Sequence, residues 1–308
     1  MVNWKDKCGC NPHGYKFILV LLAILLMLTV VVCGVFVFDY FKPHWNLQTD
    51  NAPWSPRVEF SSAAMPDGSI VVMGGLDSTG PQNDIWRSAD LGKTWDLQTG
   101  HAPWSPRSGH SSIASSNGSI VLMGGMSKVN DQWVSRNDTW LSLDAGKTWT
   151  VLTDHASWTA RSGHSADVMP DGSIVLMGGA DDQSWIMRND SWRSMDMGKT
   201  WTLQSDVPTT WSGREGQTSL VSPTGSILLI GGHQNYEDWN DSWSSVDMGR
   251  TWVLKEEHAP WPGRSGHSCV LMPDGCIVLM GGADVSVNRY DNITGSSFVF
   301  HNDVWRLT

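Results

Sequence analysis

Short apolar runs separated by polar turns recur along most of this chain. In the clearest copy an apolar run leads to the turn Pro170-Asp171-Gly172, and then to Ser173-Ile174-Val175-Leu176-Met177-Gly178-Gly179. Runs of this length, rich in Ile and Val and bounded by Gly-containing turns, predict β-hairpins, because Gly tolerates the positive φ of a tight turn. No ten-residue window beyond position 38 has a sustained helical period.

The whole pattern occurs five times, at steps of 50 to 54 residues. Each copy runs from an arginine through the apolar strands and a Gly-Gly pair to Asn-Asp-x-Trp, and four copies continue to Thr-Trp. Four strands fit into each copy. Four-stranded units with a period of ~50 residues are typical of the blades of a β-propeller. The arginines that begin the copies are Arg57, Arg107, Arg161, Arg214 and Arg264.

Two repeat families share these motifs. The order Arg-x-Gly-His, apolar run, Gly-Gly, Asn-Asp-x-Trp and a final Trp resembles the kelch repeat. The segments Ser-x-Asp-x-Gly-x-Thr-Trp resemble the Asp-box of sialidases and other bacterial-neuraminidase-repeat proteins; they begin at Ser88, Ser142, Ser194 and Ser245. Together the motifs cover residues 45–308. The resemblance implies a propeller and specifies no activity.

We therefore expect an all-β fold, a five-bladed kelch-like β-propeller over residues 45–308, with an N-terminal transmembrane helix. Residues 305–308 align with the third strand of the first copy, and residues 45–48 align with the fourth strand at 95–98. The strand at 45–49 is expected to complete the fifth blade, which removes an open sheet edge.

The segment 17–38 carries no charge and is long enough to cross the ~30 Å hydrocarbon core. Lys5, Lys7 and Lys16 precede it, so the positive-inside rule places a tail at 1–16 in the cytoplasm. We predict a signal anchor at 17–38, a short linker at 39–44, and a single-pass type II protein with a lumenal or extracellular propeller. Both ends of the propeller are expected on the Asp-box face, and the linker reaches at most ~20 Å. We therefore expect the Asp-box face to lie against the membrane.

The acidic balance of the chain limits the partner classes. With 31 acidic and 21 basic residues the formal charge is −10. Nucleic acid is therefore excluded as a partner, since phosphate binding needs clustered positive charge. We also predict no metal and no cofactor. His110, His164 and His267 come from non-equivalent blades, with no carboxylate implied beside them, and are expected to be structural.

The Asp-box segments are interpreted as structural turns. In each, the Asp is expected to accept hydrogen bonds from turn amides, the Gly to adopt a left-handed conformation, and the Trp to pack between neighbouring sheets. The four aspartates are Asp90, Asp144, Asp196 and Asp247.

The face opposite the boxes carries the candidate ligand site. It collects the five repeat arginines and three tryptophans that depart from the repeat, Trp133, Trp185 and Trp239. A cationic ring edged by aromatics suits glycans or acidic protein ligands, because guanidinium groups bind carboxylates and flat rings stack on apolar faces. In the alternative, each arginine pairs with an acidic neighbour between blades, and the tryptophans pack their own loops.

Two glutamates interrupt the repeat on that face. Glu59 and Glu215 stand where other copies have small residues. A carboxylate pair beside arginines is what a sialidase-like glycoside hydrolase needs, but the Arg-Ile-Pro motif expected from that resemblance is missing. A binding module is therefore the favoured interpretation, with the hydrolase and a purely structural surface scaffold as alternatives.

Five Asn-x-Ser/Thr sequons occur, and three of them are the repeat's own Asn-Asp-x-Trp. Because the Asn-Asp pair persists in copies that lack the acceptor hydroxyl, we interpret it as a structural element. Asn117 in a turn and Asn292 in a long loop are the better predicted glycosylation acceptors.

Overall fold

The computed structural model describes residues 47–181, 186–204, 210–235, 237–271, 277–284, 299–301 and 303–307. These residues form strands and turns, without a helix among them, and so the described part of the chain contains no helix able to cross a membrane. The predicted tail, anchor and linker lie outside the described residues, as do Trp185 and Asn292.

Each repeat folds into its own group of antiparallel strands. The first has β1 (Arg57–Val58), β2 (Ser61–Ala64), β3 (Ile70–Asp77), β4 (Gly80–Ser88) and β5 (Asp96–Thr99). The second has β6 (Arg107–Ser108), β7 (Ser111–Ala114), β8 (Ile120–Met123), β9 (Met126–Val129), β10 (Gln132–Ser135), β11 (Thr139–Ser142) and β12 (Thr150–Thr153). The third has β13 (Ser165–Val168), β14 (Ile174–Met177), β15 (Ala180–Asp181), β16 (Ile186–Met187), β17 (Ser191–Ser194) and β18 (Thr202–Leu203). The fourth has β19 (Thr218–Val221), β20 (Ile227–Gln234), β21 (Glu237–Ser245) and β22 (Val253–Glu256). The fifth has β23 (Ser268–Leu271), β24 (Ile277–Met280), β25 (Ala283–Asp284), β26 (Val299–Phe300) and β27 (Val304–Leu307).

The second, third and fourth repeats share one sheet plan. In the second repeat the main sheet has the order β12-β11-β8-β7, and the short hairpin β9-β10 pairs with the arginine strand β6. The third and fourth repeats have the four-stranded sheets β13-β14-β17-β18 and β19-β20-β21-β22. The all-β, propeller-type prediction is thus confirmed, and the loops fall on two faces as the antiparallel order requires.

The hydrophobic core lies between consecutive sheets. One cluster joins the first and second sheets and includes Val71, Ile85, Trp104, Leu122 and Trp149. Equivalent clusters join the second to the third, the third to the fourth, and the fourth to the fifth sheet. Trp104 meets Trp149 edge-to-face at 6.1 Å between ring centroids, and the next interface repeats this pair. Sheet-to-sheet burial of this kind explains why one repeat cannot fold alone.

The four segments compared with Asp-boxes, residues 88–95, 142–149, 194–201 and 245–252, share one hydrogen-bonding pattern, and we call them the box turns. In the second, Asp144 accepts from the Thr148 amide at 2.8 Å and from its hydroxyl at 2.6 Å, while Trp149 donates to Gly146 O at 3.0 Å. Gly146 has φ +92° and packs on Ile85 of the preceding sheet. The same contacts recur around Asp90, Asp196 and Asp247, as the sequence predicts.

The fifth sheet and its neighbourhood depart from the plan. Its main sheet has three strands, β23-β24-β27. A side chain added at Gly109 would meet Ser162 at 3.1 Å, and one at Gly216 would meet Ser265 at 3.1 Å, but one at Gly266 would meet no described atom within 4 Å. Of the predicted closing strand at 45–49, residues 47–49 are described and are not assigned to a strand.

Candidate functional site

The inner loops of the repeats are joined by a series of backbone hydrogen bonds. The amide of Gly109 donates to Glu59 O at 2.9 Å, Gly163 to Gly109 O at 2.8 Å, Gly216 to Gly163 O at 2.9 Å, and Gly266 to Gly216 O at 2.8 Å. Each glycine has a φ of about +60°, a region that Gly enters without strain. This series fixes the inner loops at matching positions, so residues beside the glycines face a shared central space.

That space is a cavity of about 1200 Å³ lined by residues from all five repeats. It lies on the face opposite the box turns, which we call the cavity face. Much of its lining consists of Gly and Ser, because these residues occupy the inner-loop positions in most repeats. The larger described side chains in the lining include Glu59, Phe60, Trp133, Glu215 and His233.

Both glutamates singled out by the sequence reach this cavity. Glu59 occupies the position that Gly fills in the other four repeats, and it keeps the left-handed conformation with φ 54°. Glu215 stands where other repeats have Ser or Val, and its side chain lies over Gly163, whose added Cβ would come within 3.2 Å of Glu215 Oε2. The left-handed conformation of Glu59 is unusual and strained for a residue other than glycine. Glu59 and Glu215 line the same cavity.

The described aromatic candidates fall into two situations. Trp133, on β10, lines the cavity and is 39% exposed, as expected of a ligand-facing ring. Trp239, on β21, instead packs on the Arg214 guanidinium at 5.5 Å, which agrees with the alternative that it packs its own loop. Phe60, which sequence analysis did not propose, is exposed and also lines the cavity; its replacement of the repeat's usual His was the available signal.

The five repeat arginines are not a surface ring. Arg107, Arg161, Arg214 and Arg264 are at most 1% exposed, and the Arg57 side chain is 2% exposed. Arg107 binds both carboxylate oxygens of Asp138, at 2.7 and 2.8 Å, and donates to Gly124 O at 2.8 Å. The other pairs are Arg57–Asp84, Arg161–Asp190, Arg214–Asp241 and Arg264–Asp303.

These contacts correct the expectation of a cationic ligand ring, because each guanidinium is buried and forms an ion pair with an aspartate. The alternative expectation, that each arginine pairs with an acidic residue, agrees with the structure. The aspartate, however, belongs to the arginine's own repeat and not to a neighbouring blade. For Asp138 and Asp190, burial opposes ionisation, yet the arginine's hydrogen bonds and charge outweigh it and lower the carboxyl pKa.

The Asn-Asp-x-Trp motif has a complete structural account. Asn137 Nδ2 donates to Ala156 O at 3.1 Å and Trp158 O at 3.2 Å, which ties the repeat to the segment entering the next one. Asp138 receives Arg107, and it also receives the indole N–H of Trp140 at 2.7 Å. A glycan would be attached to Nδ2, and in this motif Nδ2 is already hydrogen-bonded to two backbone carbonyl oxygens. The Asn117 side chain is exposed in its turn, and its glycosylation stays a prediction.

The three repeat histidines are buried between sheets. Burial, with the charge of the adjacent arginine, lowers the pKa of His110 and His164 to about 3 and that of His267 to about 4. They are therefore neutral at physiological pH. His164 Nε2 contacts Ser111 Oγ at 2.8 Å. Burial and this contact agree with a structural role.

A buried carboxyl that sequence analysis did not single out lies on the innermost strand of the third sheet. Asp167 takes the position that Ile113 occupies in the second sheet, and Ser219 of the fourth sheet donates a hydrogen bond to it. Burial raises its pKa to about 6, and the Ser219 hydrogen bond opposes that shift. The acidic residue in an otherwise apolar repeat position was the signal in the sequence.

Fold and site together define a kelch-type β-propeller with a central cavity. The family model of the KLHDC2/KLHL20/DRC7 kelch-repeats domain matches residues 93–282, and the chain belongs to this family. The solved chain titled "Structure of YjhT" aligns with a TM-score of 0.66 at 16% identity, over 84% of either chain, which shows a shared fold. Comparison with curated proteins gave no match. The kelch resemblance is confirmed, while membership of the Asp-box repeat family stays a prediction.

Proposed function

We propose that this protein is a membrane-anchored, extracytoplasmic binding module whose central cavity receives a neutral or basic segment of a protein partner. Kelch propellers generally bind proteins, and the family assignment supports that class of partner. The observation that carries the proposal is the cavity lining: all five repeats contribute, and Glu59 and Glu215 lie with Trp133 and Phe60 in one concave surface.

Charge in the described lining favours this ligand over the acidic one expected from the sequence. The lining contains two glutamates and neither Lys nor Arg among the described residues. The arginines that were to bind acidic groups are paired with aspartates. Carboxylates form strong charge-assisted hydrogen bonds with Lys and Arg side chains, and aromatic faces attract the same cations. An acidic peptide or sialylated glycan would instead meet like charge.

The sialidase-like alternative finds less support. Glycoside hydrolysis requires an acid and a nucleophile or base flanking the substrate, and the resemblance adds an arginine triad for the sialic acid carboxylate. In this chain the repeat arginines are buried and paired with aspartates. None of the described lining residues is an arginine. Binding is therefore the better interpretation of the two glutamates.

Replacing each glutamate by the residue of the other repeats tests the proposal. In the full-length protein we expect Glu59→Gly and Glu215→Ser each to weaken the binding of a Lys- and Arg-rich peptide by about tenfold, because each removes one charge-assisted contact. Fluorescence anisotropy measures the Kd. Both variants should fold, since Gly at position 59 relieves the positive φ and Ser fills the equivalent of position 215 in three repeats.

The matched control is Glu257→Ser, which removes an exposed glutamate just after β22, at a position outside the cavity lining. It should leave the Kd unchanged. A Glu-rich peptide of equal length and a sialylated oligosaccharide serve as competing ligands. The proposal is wrong if either binds more tightly than the basic peptide, or if both cavity variants bind like the control.

We also propose that the ring has five blades and that residues 45–49 supply the fourth strand of the fifth. Two contacts support this. On β5, Thr99 donates to Gly146 O in the box turn of the next repeat at 3.0 Å. Gln48 aligns with the residue before Thr99, and it lies 3.9 Å from a Cβ added at Gly92 in the first box turn. The segment at 45–49 thus approaches the first box turn as β5 approaches the second. The edge strand β27 has one partner among the described strands.

The repeat register makes this closure testable by cross-linking. Thr99 pairs with Ile85 across β5 and β4, so Thr49 is expected opposite Val304. In the full-length protein, Thr49→Cys with Val304→Cys should form a disulfide on mild oxidation, since opposed strand residues bring their Cβ atoms within reach. Thr49→Cys with Val253→Cys, on the outer strand of the fourth sheet, should stay reduced. Equal cross-linking of both pairs, or of neither, contradicts the closure.

A further inference from the structure

The four box turns expose apolar side chains that the fold does not use. Three of them project the residue between Ser and Asp into solvent: Leu143 is 75% exposed, Met195 78% and Val246 79%. The first box turn has Ala89 at that position but exposes Leu91 instead, at 69%. In the other three turns the residue equivalent to Leu91 packs against a core cluster. Every box turn thus presents one large apolar side chain.

These side chains lie on one face of the molecule. Each box turn follows the third main strand of its sheet, and the second, third and fourth turns pack on the sheet before them, so equivalent turns occupy equivalent places. The register Ser142↔Ile120 puts the box turn at the same end of the sheet as the tight turn at Ser115–Ser119. We call this end the box face. It is the end opposite the cavity, which lies beside the inner glycines.

A basic side chain accompanies each apolar tip. Lys93, Lys147, Lys199 and Arg250 follow the glycines of the four turns, and all four are exposed. Each turn also carries its aspartate, exposed in two of the four turns, so the turns have no net charge, and the aspartate accepts the amide and hydroxyl of its Thr. Exposed apolar side chains with cations beside them suit the phospholipid interface, where headgroup phosphates meet the cations and the acyl boundary receives the apolar groups.

The chain enters this unit beside the same face, since Gln48 lies against Gly92 of the first box turn.

From these features we infer that the box face is a membrane-contacting surface, with Leu143, Met195 and Val246 inserted into the headgroup layer of the bilayer that holds the anchor. The inference rests on the membrane anchor of the proposed function. Its consequence is a fixed orientation in which the cavity opens away from the membrane toward partners in solution or on another surface.

Site-specific fluorescence on the full-length protein in phosphatidylcholine and phosphatidylserine vesicles tests this inference. An environment-sensitive probe is attached at Met195→Cys, or at Val129→Cys in the exposed hairpin of the cavity face, and some lipids carry a nitroxide on the headgroup. Cys8, Cys10, Cys33 and Cys276 are replaced by Ser, whereas Cys269 is retained because it is buried.

We expect the emission from position 195 to shift to the blue and to lose most of its intensity, while that from position 129 stays unchanged. Leu143→Ser with Val246→Ser should reduce the quenching at 195, because the neighbouring tips no longer hold the face in the interface. The matched change on the cavity face, Val58→Ser with Ile186→Ser, removes two exposed apolar residues and should leave it as before.

Alkaline carbonate extraction separates the failure of the anchor from the failure of the docking surface. A chain that resists extraction but shows equal, unquenched emission at both positions overturns the membrane contact and leaves the anchor in place. A chain that carbonate removes overturns the anchor, and the inference falls with it. This inference is incompatible with the predicted glycosylation of Asn117, because the turn at Ser115–Ser119 shares the box face; a glycan found on Asn117 by mass spectrometry would overturn the membrane contact.

Discussion

Arg161→Ala is expected to reduce the free energy of unfolding by about 3 kcal/mol, because it leaves the partly buried Asp190 carboxylate without its hydrogen-bonded cation. The Arg161 side chain is fully buried and binds both oxygens of Asp190, at 2.5 and 2.9 Å. It also donates to Gly178 O at 2.8 Å. Alanine removes all of these bonds and leaves Asp190 with the Trp192 indole as a donor and with the charge of Arg188 nearby. Thermal or urea unfolding of the full-length protein measures the loss.

Arg193→Ala provides the matched control for that change. Arg193 lies in the same sheet and pairs with Asp171, but the Asp171 side chain is 40% exposed. Exposed ion pairs contribute only about 0–1 kcal/mol because water screens them. If the two variants unfold together, near the unchanged protein, then the buried pairs do not carry the stability assigned to them here.

Asp167→Asn is expected to stabilise the protein at pH 7 and to have little effect at pH 4. Burial raises the pKa of Asp167 from 3.8 to about 6. The folded state therefore holds its proton more tightly than the unfolded state, and this contribution to stability is present below pH 4 and is lost as the pH rises through about 6. At pH 7 the ionised group costs roughly 2–3 kcal/mol. Asparagine is neutral at both pH values and can still accept from Ser219.

The measurement is the difference in unfolding free energy between the two proteins from pH 4 to pH 7. The depressed pKa values of His110, His164 and His267 act in the opposite direction, removing stability as the pH falls below 6.5, but they are common to both proteins and cancel. Asp131→Asn, at a 91% exposed side chain, should give a flat difference. A difference for Asp167→Asn that is equally flat would falsify the raised pKa.

The periodic parts of this structure were predictable, because each is set by a signal repeated in every copy. Strand pairs, Gly-Gly turns and the box turns follow from local residue chemistry at fixed spacing. The kelch resemblance then gave the sheet plan. Glu59 and Glu215, which break the repeat, could be recognised for the same reason; both line the cavity, and their role in binding stays a prediction.

The direction in which the repeat arginines point was not predictable from spacing. Arg107 and Asp138 are 31 residues apart, whereas Arg264 and Asp303 are 39 apart, because a loop of variable length lies between them. A local pattern therefore does not reveal the pair. One signal was present: the five arginines are matched by five aspartates of Asn-Asp-x-Trp, one in each copy. The exposure of Trp133 and Trp239 likewise depends on tertiary packing. Their different surroundings could therefore not be distinguished from the sequence.

The pairing of each buried arginine with an aspartate of its own repeat has a consequence for how such a chain evolves. Had Arg161 depended on an acidic group from the adjacent repeat, an open array of copies would hold an unpaired arginine at one end and an unpaired aspartate at the other until the ring closed. Here a duplicated segment brings both members of the pair, Arg161 and Asp190, with it. Copy number can therefore change without an electrostatic penalty at the joint, and selection then acts only on how the remaining ring closes.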